Sequence, residues 1–454
     1  MTGETLLCLL LVIFSSTVDA QMFTFGQNHD GQLGSDTSGK SRYEPTPLNI
    51  TNQLLMNMQI ESVHTGYYHS ILKLKEGVTA SFGQNKFGQL GNNQTVSTPI
   101  LIDTTQLAGK KIMKISCGRY HSVISTDDHL LFSFGSNTHG QLGTNNVSTI
   151  TEYIPTPVYM SGHLNNIKIS QISCGNEHTL VLSSDNKLFS FGSNQFGQLG
   201  IGAKVKQEPI AVPVTMSGVL LEKSISQISC GAYHSVVVTK DGRVYSYGDN
   251  LNGQLGHGQK TKSEFSPVEV DTTGVLSNKH VVQASAGTSH TVLLTSDGDL
   301  YSFGHYGLLG DGSSEQQHKH SPVRVDMNGV LMNKRVKQVA AGAKHSIGVT
   351  TDDVTFTFGH NTYGQLGTGD VHAELQLSPV LVNMKVIPSG KTVKQVAAGS
   401  FHSAILLTDR TRVGLSPVQI TIIVFVCLTA VLIASISIAF VVRLRAKQSY
   451  EMLN

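Results

Sequence analysis

The chain has 454 residues, of which 14% are charged and 45 are glycine, and its formal net charge is +2 at pH 7. A charged fraction well below the usual quarter, together with abundant glycine, is typical of a turn-rich β protein. The nearly balanced charge leaves no basic stripe of the kind that binds nucleic acid, so no nucleic-acid partner is predicted.

The N-terminal residues 1–20 are predicted to be a secretory signal peptide. An apolar core runs from Leu6 to Phe14, and Val18-Asp19-Ala20 is a small-residue cleavage site. The alternative is an uncleaved anchor, but nine apolar residues are too short to span about 30 Å of hydrocarbon. We therefore expect cleavage near Ala20 and entry of the following chain into the secretory pathway.

One repeated motif organises residues 21–410. Its clearest copy, Phe-Ser-Phe-Gly-Ser-Asn-Gln-Phe-Gly-Gln-Leu-Gly, spans Phe189–Gly200. Six further copies recur every 52 to 57 residues, and the sixth copy in chain order has lost two residues. These copies are Phe23–Gly34, Ala80–Gly91, Phe132–Gly143, Tyr245–Gly256, Tyr301–Gly310 and Phe356–Gly367. A period in this range indicates a solenoid, a propeller or an array.

Each repeat contains four short extended segments. After the motif comes a segment that starts at a proline, then an alternating segment such as Ile225–Gly231. An apolar run such as Ser235–Thr239 follows, and Asp241-Gly242 then signals a hairpin into a last strand, Arg243–Tyr247. The prolines are Pro47, Pro99, Pro157, Pro213, Pro267, Pro322 and Pro379. Four strands repeated seven times predict an all-β fold, a seven-bladed β-propeller of four-stranded blades.

The two ends of the repeat region are complementary. The mature chain begins with a lone last strand, Met22–Phe25, and the region ends after Thr408 where one more strand is due. We expect the N-terminal strand to complete the C-terminal blade and close the ring, which leaves no open sheet edge.

The C-terminal residues indicate a membrane anchor. Residues 411–417 form a linker, and residues 418–442 are apolar and uncharged, long enough for one transmembrane helix. Arg443, Arg445 and Lys447 follow at once, which predicts a cytoplasmic tail, residues 443–454. A glycolipid-anchor signal is the alternative, and the basic tail argues against it. The sequence thus predicts a single-pass type I membrane protein with a lumenal or extracellular propeller, at the cell surface or in endolysosomal membranes.

Two kinds of short motif accompany this topology. Tyr450 and Leu453 lie in a Tyr-x-x-apolar tetrapeptide that resembles sorting signals read by clathrin adaptors; the alternative is an arbitrary tail. Asn49, Asn93 and Asn146 each begin an Asn-x-Ser/Thr sequon, and glycosylation there requires the secretory route and surface exposure.

The two repeated motifs, Phe-Gly-x-Asn-x-x-Gly-Gln-Leu-Gly and Cys/Ala-Gly-x-x-His-Ser/Thr, resemble those of the regulator of chromosome condensation repeat family over residues 22–410. The resemblance implies a seven-bladed propeller. It implies less about function: the founding member is a nuclear guanine-nucleotide exchange factor that binds nucleosomes, and others are ubiquitin-ligase parts, channel regulators or an inhibitor of β-lactamases. The signal peptide, the anchor and the lack of an insertion like the exchange factor's wedge set this chain apart.

Residues that recur in every blade are expected to be structural. Seven histidines follow the Gly-x-x turn, and we predict that each fixes its turn by hydrogen bonds; a ring-wide metal site is the alternative. They are His69, His121, His178, His234, His290, His345 and His402. Cys117, Cys174 and Cys230 occupy a position where other copies have alanine or threonine, which indicates small free thiols. No cofactor or metal is predicted.

Positions at which the copies differ are the better candidates for function. The two variable residues of each Gly-x-x-His turn are expected to lie around one face of the ring, and Tyr and Arg are typical of binding hot spots. The candidate partner-binding residues are Tyr67, Tyr68, Arg119, Tyr120, Tyr233 and Phe401. A second aromatic set, for which we favour packing on the next blade, is Phe87, Phe196 and Tyr363. In the deviant sixth repeat, His305, His318 and His320 suggest either a metal site or, as we expect, a solvated loop.

No catalytic arrangement stands out, so the sequence predicts a non-enzymatic propeller that binds a protein or other ligand outside the cytosol. The alternative, from the family alone, is a regulator of a small GTPase with exchange-factor activity. A third hypothesis, an enzyme that uses one propeller face, requires a pocket with strongly perturbed acid groups.

Overall fold

A computed structural model describes residues 22–35, 39–56, 58–146 and 150–410. The predicted signal peptide, linker, transmembrane helix and tail, with Tyr450 and Leu453, lie outside the described residues. Within the described ranges, no helix is both long and apolar enough to cross a membrane.

The described residues form 28 strands in seven antiparallel sheets of four strands each, and each sheet is one blade. Blade 1 contains β3 (Ile60–Thr65), β4 (His69–Leu74), β5 (Thr79–Gly83) and β6 (Val96–Leu101); blade 2 contains β7 (Ile112–Cys117), β8 (His121–Thr126), β9 (Leu131–Ser136) and β10 (Thr151–Pro157); blade 3 contains β11 (Ile169–Cys174), β12 (His178–Ser183), β13 (Leu188–Ser193) and β14 (Gln207–Pro213). Blade 4 contains β15 (Ile225–Cys230), β16 (His234–Thr239), β17 (Val244–Asp249) and β18 (Ser263–Glu269); blade 5 contains β19 (Val281–Ala286), β20 (His290–Thr295), β21 (Leu300–Gly304) and β22 (Lys319–Arg324). Blade 6 contains β23 (Val336–Ala341), β24 (His345–Thr350), β25 (Thr355–His360) and β26 (Leu375–Leu381); blade 7 contains β27 (Lys391–Ala398), β28 (His402–Asp409), β1 (Met22–Gly26) and β2 (Arg42–Pro47). Short 3-10 turns span Lys75–Gly77, Thr105–Leu107, Gly218–Leu220, Tyr306–Leu308 and Gly329–Leu331. The predicted seven-bladed propeller is confirmed.

The middle strands of a blade are buried on both faces because neighbouring blades pack on each side. In β16, Val236, Val237 and Val238 are all buried, so the run is continuously apolar rather than alternating. The predicted Asp-Gly hairpin joins β16 to β17, with Gly242 at a φ of +79°. Burial of one such valine contributes about 1.5–3 kcal/mol to the stability of the fold.

The repeated motif forms a turn that its own side chains hold together. In blade 3, Oδ1 of Asn194 accepts a hydrogen bond from the Leu199 amide at 3.1 Å, and Oε1 of Gln198 accepts one from the Phe196 amide at 2.9 Å. These bonds direct the fully buried Leu199 inward. Gly200, with a φ of +67°, lies against the next blade, where an added Cβ would be 2.6 Å from the Tyr247 ring. The motif is therefore a packing joint between blades.

The predicted start of the proline-initiated strand is wrong. The strand begins before the proline and pairs with the motif strand that precedes it, as β18 pairs with β17. The equivalent proline lies beside a bulge in the blade's outermost strand, where a missing amide donor is tolerated. The residues at this buried position are Pro45, Pro99, Pro155, Ala211, Pro267, Pro322 and Pro379, so Pro47, Pro157 and Pro213 lie two residues beyond it.

The predicted ring closure is confirmed, and it involves one strand more than expected. β1 pairs along its whole length with β28, from Met22 opposite Leu406 to Gly26 opposite His402. β2 then pairs with β1, so the N-terminal region supplies two strands of blade 7 rather than one. The difference arises because the outer strand belongs to the preceding motif and not to the following repeat.

Substitution of Phe25 tests whether β1 closes the ring. Its fully buried ring packs against Gly367 of blade 6, as the Phe191 ring of blade 3 packs against Gly143 of blade 2. If blade 7 is as well integrated as blade 3, Phe25→Ala and Phe191→Ala each lower the free energy of unfolding by about 3–5 kcal/mol in denaturant titrations. A main transition that shifts for Phe191→Ala but not for Phe25→Ala would contradict closure by β1.

Candidate binding face

The seven repeated histidines join neighbouring blades. In each blade, Nε2 of the histidine lies within hydrogen-bond distance of the hydroxyl that follows the histidine of the next blade. The pairs are His69–Ser122 at 2.8 Å, His121–Thr179 at 3.0 Å, His178–Ser235 at 3.0 Å, His234–Thr291 at 2.9 Å, His290–Ser346 at 3.0 Å, His345–Ser403 at 2.8 Å and His402–Ser70 at 3.2 Å. These bonds reach the next blade rather than the residue's own turn, so each histidine connects two blades.

The hydroxyls determine the tautomer of these histidines. Ser235 Oγ donates its one hydrogen to the Gln198 carbonyl at 2.8 Å, and a carbonyl can only accept. The hydroxyl must therefore accept a hydrogen bond from His178, which places a hydrogen on Nε2. Burial lowers the pKa of six of these histidines to about 3 and that of His402 to about 4. Such groups hold the ring together and do not titrate near neutral pH.

The three repeat cysteines are free, as predicted. Each thiol lies against the preceding blade, as Cys230 Sγ does at 3.2 Å from the Ser173 carbonyl. Burial raises the pKa of the Cys174 thiol to about 12. A thiol of this kind is a packing group and a poor nucleophile.

Five of the six candidate partner-binding residues form one contiguous cluster. We call Tyr67, Tyr68, Arg119, Tyr120 and Phe401 the aromatic face. Ring centroids are 6.4 Å apart for Phe401 and Tyr67, 4.8 Å for Tyr67 and Tyr68, and 6.1 Å for Tyr68 and Tyr120. All five side chains are half-buried. Because these residues come from blades 7, 1 and 2, ring closure by β1 is what brings Phe401 beside Tyr67.

Arg119 lies at the centre of the aromatic face. Its guanidinium carbon is 5.1 Å from the Tyr67 ring centroid and 4.9 Å from that of Tyr120, which is cation–π geometry. Its Nε is buried without a hydrogen-bond partner, and no carboxylate of the described residues forms an ion pair with it. The two tyrosines therefore hold a cation in place whose charge remains unneutralised.

The aromatic face borders the mouth of a narrow central channel. Tyr67 and Arg119 are the largest side chains at this mouth, where the other blades place Asn176, Ala232, Thr288, Ala343 and Ser400. Below the mouth, each turn glycine touches the next blade: an added Cβ at Gly66 would lie 2.6 Å from the Gly118 carbonyl. The cavity is only about 110 Å³ in volume. A partner would thus meet the rim rather than pass through the channel.

The second aromatic set packs on the next blade, as we favoured. Centroid distances are 4.8 Å for Phe87 and Tyr120 and 5.3 Å for Tyr363 and Phe401, so both turns extend the aromatic face. Phe196 packs on Tyr233 at 5.2 Å. Tyr233, the sixth candidate residue, therefore forms a separate pair with Phe196.

The sequence held a signal for these contacts. In several blades the fourth residue after the motif glycine lies against the residue before the next blade's histidine, as Phe87 does against Tyr120 and Tyr363 against Phe401. Between blades 2 and 3 the same two positions hold His139 and Glu177, whose side chains are 3.7 Å apart. Reading each turn against the following repeat would have assigned Phe87 and Tyr363 to the cluster.

The deviant sixth repeat differs from expectation. His305 and His318 stack on Tyr306, with centroids 4.6 and 5.6 Å away, so they are packed together rather than solvated. His320 is half-buried. Within the described ranges, no group of three or more His, Cys, Asp or Glu side chains is placed to hold a metal ion.

These observations define a seven-bladed propeller with repeated structural joints and one asymmetric rim. The chain belongs to the family of the regulator of chromosome condensation (RCC1) repeat, whose model matches it seven times. The matched residues are 19–72, 80–125, 128–182, 185–238, 241–294, 297–349 and 352–406.

Its relatives include proteins of different kinds. The chain is 33% identical to the ultraviolet-B receptor UVR8 of Arabidopsis thaliana over 352 residues, 76% of this chain and 74% of the relative. It is 28% identical to the human regulator of chromosome condensation over 413 residues, 87% of this chain and 93% of the relative. The structure of human WBSCR16 superposes with a TM-score of 0.74 at 22% identity, covering 86% of this chain and 99% of that one, and so shares the fold.

The buried neutral histidines between blades predict that acid lowers the stability of the fold. Because the native pKa of these histidines lies well below the value of about 6.5 in an unfolded chain, the unfolded state binds more protons as the pH falls. The contribution of these histidines to stability is complete above pH ~6.5. Between pH ~6.5 and pH ~3, each histidine lowers the free energy of unfolding by up to about 1.4 kcal/mol for each unit of pH. Denaturant titrations between pH 7.5 and 5 measure this slope. His234→Gln should reduce this slope by the contribution of one histidine. An unfolding free energy that does not change between pH 7.5 and 5 would contradict buried, neutral histidines.

Proposed function

We propose that this protein is a non-enzymatic propeller that binds a protein partner through the aromatic face. The observation that carries the proposal is Arg119, which is held between Tyr67 and Tyr120 and forms no ion pair with a carboxylate of the described residues. Tyrosine and arginine are enriched in binding hot spots. Here a rigid aromatic surface surrounds a positive charge with which a partner's negative group can pair. Half-buried rings that pack on one another keep their positions before binding, which lowers the entropic cost of association.

The asymmetry of the rim supports the assignment to blades 7, 1 and 2. On the far side of the ring the equivalent turn residues are Thr288, Ser289, Ala343 and Lys344, which present little apolar surface. A surface required only by the fold would recur in each blade, as the histidine joints do. The aromatic cluster does not recur.

We further propose that the propeller is displayed outside the cytosol on a single-pass type I membrane protein that is glycosylated and sorted by its tail. The support is the order of the sequence features: signal peptide, repeats, apolar segment and basic residues. Asn93 and Asn146 are exposed and Asn49 is half-buried, so the Asn93 and Asn146 side chains are accessible to a glycosyltransferase. A clathrin adaptor is the proposed reader of Tyr450 and Leu453.

A triple variant tests the aromatic face. Tyr67→Ala, Tyr120→Ala and Phe401→Ala together should abolish partner capture, because loss of each hot-spot ring costs about 2 kcal/mol or more of binding free energy. Proximity labelling with the intact chain in cells measures capture, and circular dichroism checks the fold. The control is Leu251→Ala, a residue that is 57% exposed on a turn of blade 4. An unchanged set of labelled partners in a folded triple variant would refute the assignment.

The topology has a separate test. In sealed microsomes, the propeller should resist added protease, and deglycosylation should change its mobility less in Asn93→Gln/Asn146→Gln than in the parent. A protease-sensitive, unglycosylated propeller would instead place it in the cytosol. The family-based alternative would then be examined by release of a fluorescent guanine nucleotide from a small GTPase, which we expect the propeller not to accelerate.

A further inference from the structure

The innermost strand of each blade has one free edge, because it pairs with a single neighbour in its sheet. Glutamines from the preceding blade cap most of these edges. In the clearest case, the Gln227 amide donates to the Ala284 carbonyl at 3.2 Å and accepts from the Ala284 amide at 2.8 Å. Gln395 bonds both backbone groups of Val63 in the same way, at 2.7 and 3.0 Å. The side-chain amide thus occupies the place that a paired strand would take.

This cap is present at five of the seven joints, all of which lie in described residues. The capping residues are Gln171, Gln227, Gln283, Gln338 and Gln395. The two joints without it are consecutive: the strand register places Ser62 of β3 and Lys114 of β7 at the glutamine position. Consequently no side chain caps the equivalent edge residues, Ile115 of β7 and Ile172 of β11.

A second type of cap, a serine hydroxyl, is also missing between β3 and β7. Elsewhere a serine accepts from the next blade's amide, as Ser229 Oγ does from Ala286 at 3.1 Å. In β3 that serine is replaced by His64, whose Nε2 is instead 2.9 Å from Ser62 Oγ. The joints that follow Ala340 and Ala397 also lack the serine, but they keep their glutamines. The β3–β7 joint is therefore the one described joint that lacks both caps.

A cavity of about 450 Å³ adjoins the two uncapped joints and extends to Gln171 and Gln227 of the following blades, a volume within the size range of ligand sites. A similar cavity of about 560 Å³ adjoins joints that keep their glutamines, so the free strand edges, and not the cavity itself, distinguish this place. Its lining includes Glu61, His64, Lys73, Lys114 and Ile115. Lys73 and Glu61 neutralise one another at 3.1 Å. Lys114 is exposed and forms no ion pair with a described residue, so the cavity has a net positive charge.

We propose that this cavity binds an extended acidic peptide segment of a partner, paired to the uncapped edges of β7 and β11. A free strand edge is a template for another strand, and main-chain pairing of this kind is a common mode of peptide recognition. The peptide backbone replaces the two absent glutamine amides, and an acidic side chain pairs with Lys114. Lys114 and Arg119 are five residues apart on one strand and its turn, about 16 Å of extended chain, so this site is distinct from the aromatic face.

Hydrogen exchange of the full-length chain tests the site. The probe is the acetylated, amidated peptide Glu-Val-Glu-Val-Glu, and the charge control is Lys-Val-Lys-Val-Lys. The acidic peptide should slow exchange of the Ile115 and Ile172 amides. The capped variant Ser62→Gln/Lys114→Gln should melt at a higher temperature, because its edges regain their hydrogen bonds, and should bind the peptide at least tenfold more weakly.

Lys114→Ser provides an independent variant, since it leaves the edge free and removes only the charge. It should bind the acidic peptide more weakly than the parent but more tightly than the capped variant. The proposal is overturned if the acidic peptide protects neither amide, if the capped variant binds it as tightly as the parent, or if the basic peptide binds equally well.

Discussion

The bond between a neutral histidine and the hydroxyl of the next blade is the interaction on which this structure depends. The bond links each blade to its neighbour through fully buried side chains. The hydroxyl in turn donates a hydrogen bond to a motif carbonyl, as Ser235 does to Gln198. The same three groups therefore fix the imidazole tautomer, the separation of the blades and the turn that carries the packing leucine. Seven histidine–hydroxyl bonds join the blades into one ring, and this ring holds the irregular rim side chains of the proposed binding surface in place.

Both proposed sites are local departures from this symmetry. At the rim, large aromatic rings and Arg119 replace the small turn residues found across the ring. Inside, Ser62 and Lys114 replace glutamines that cap strand edges elsewhere. The first departure adds a surface, and the second leaves backbone groups without partners. Both involve blades 1 and 2, which concentrates the asymmetry of the propeller in one sector.

The repeat period made the fold predictable because a unit of four short strands can bury both its faces only between copies of itself. It also placed the turn residues Tyr67, Tyr120 and Phe401 on one face. The outer strand was misplaced, since a proline signals irregular pairing without showing on which side of it the strand lies. The sequence did not show that Phe196 would meet Tyr233, because contacts across blades depend on pairs of positions in successive repeats. The missing caps were invisible for the same reason: Gln227 looks like an ordinary surface residue until its partner in β19 is known.

The interchangeable joints have a consequence for how the ring acquires its number of blades. Every histidine meets an equivalent hydroxyl, so a joint carries no information about which two blades it unites, and an inserted or deleted blade would find compatible neighbours. The closure of the ring instead depends on one pair of strands: β1 can pair with β28 only when the intervening blades bring these two strands together. An added blade would therefore be compatible with its neighbours through the histidine bonds, and it would be resisted by the geometry that β1 and β28 need in order to pair.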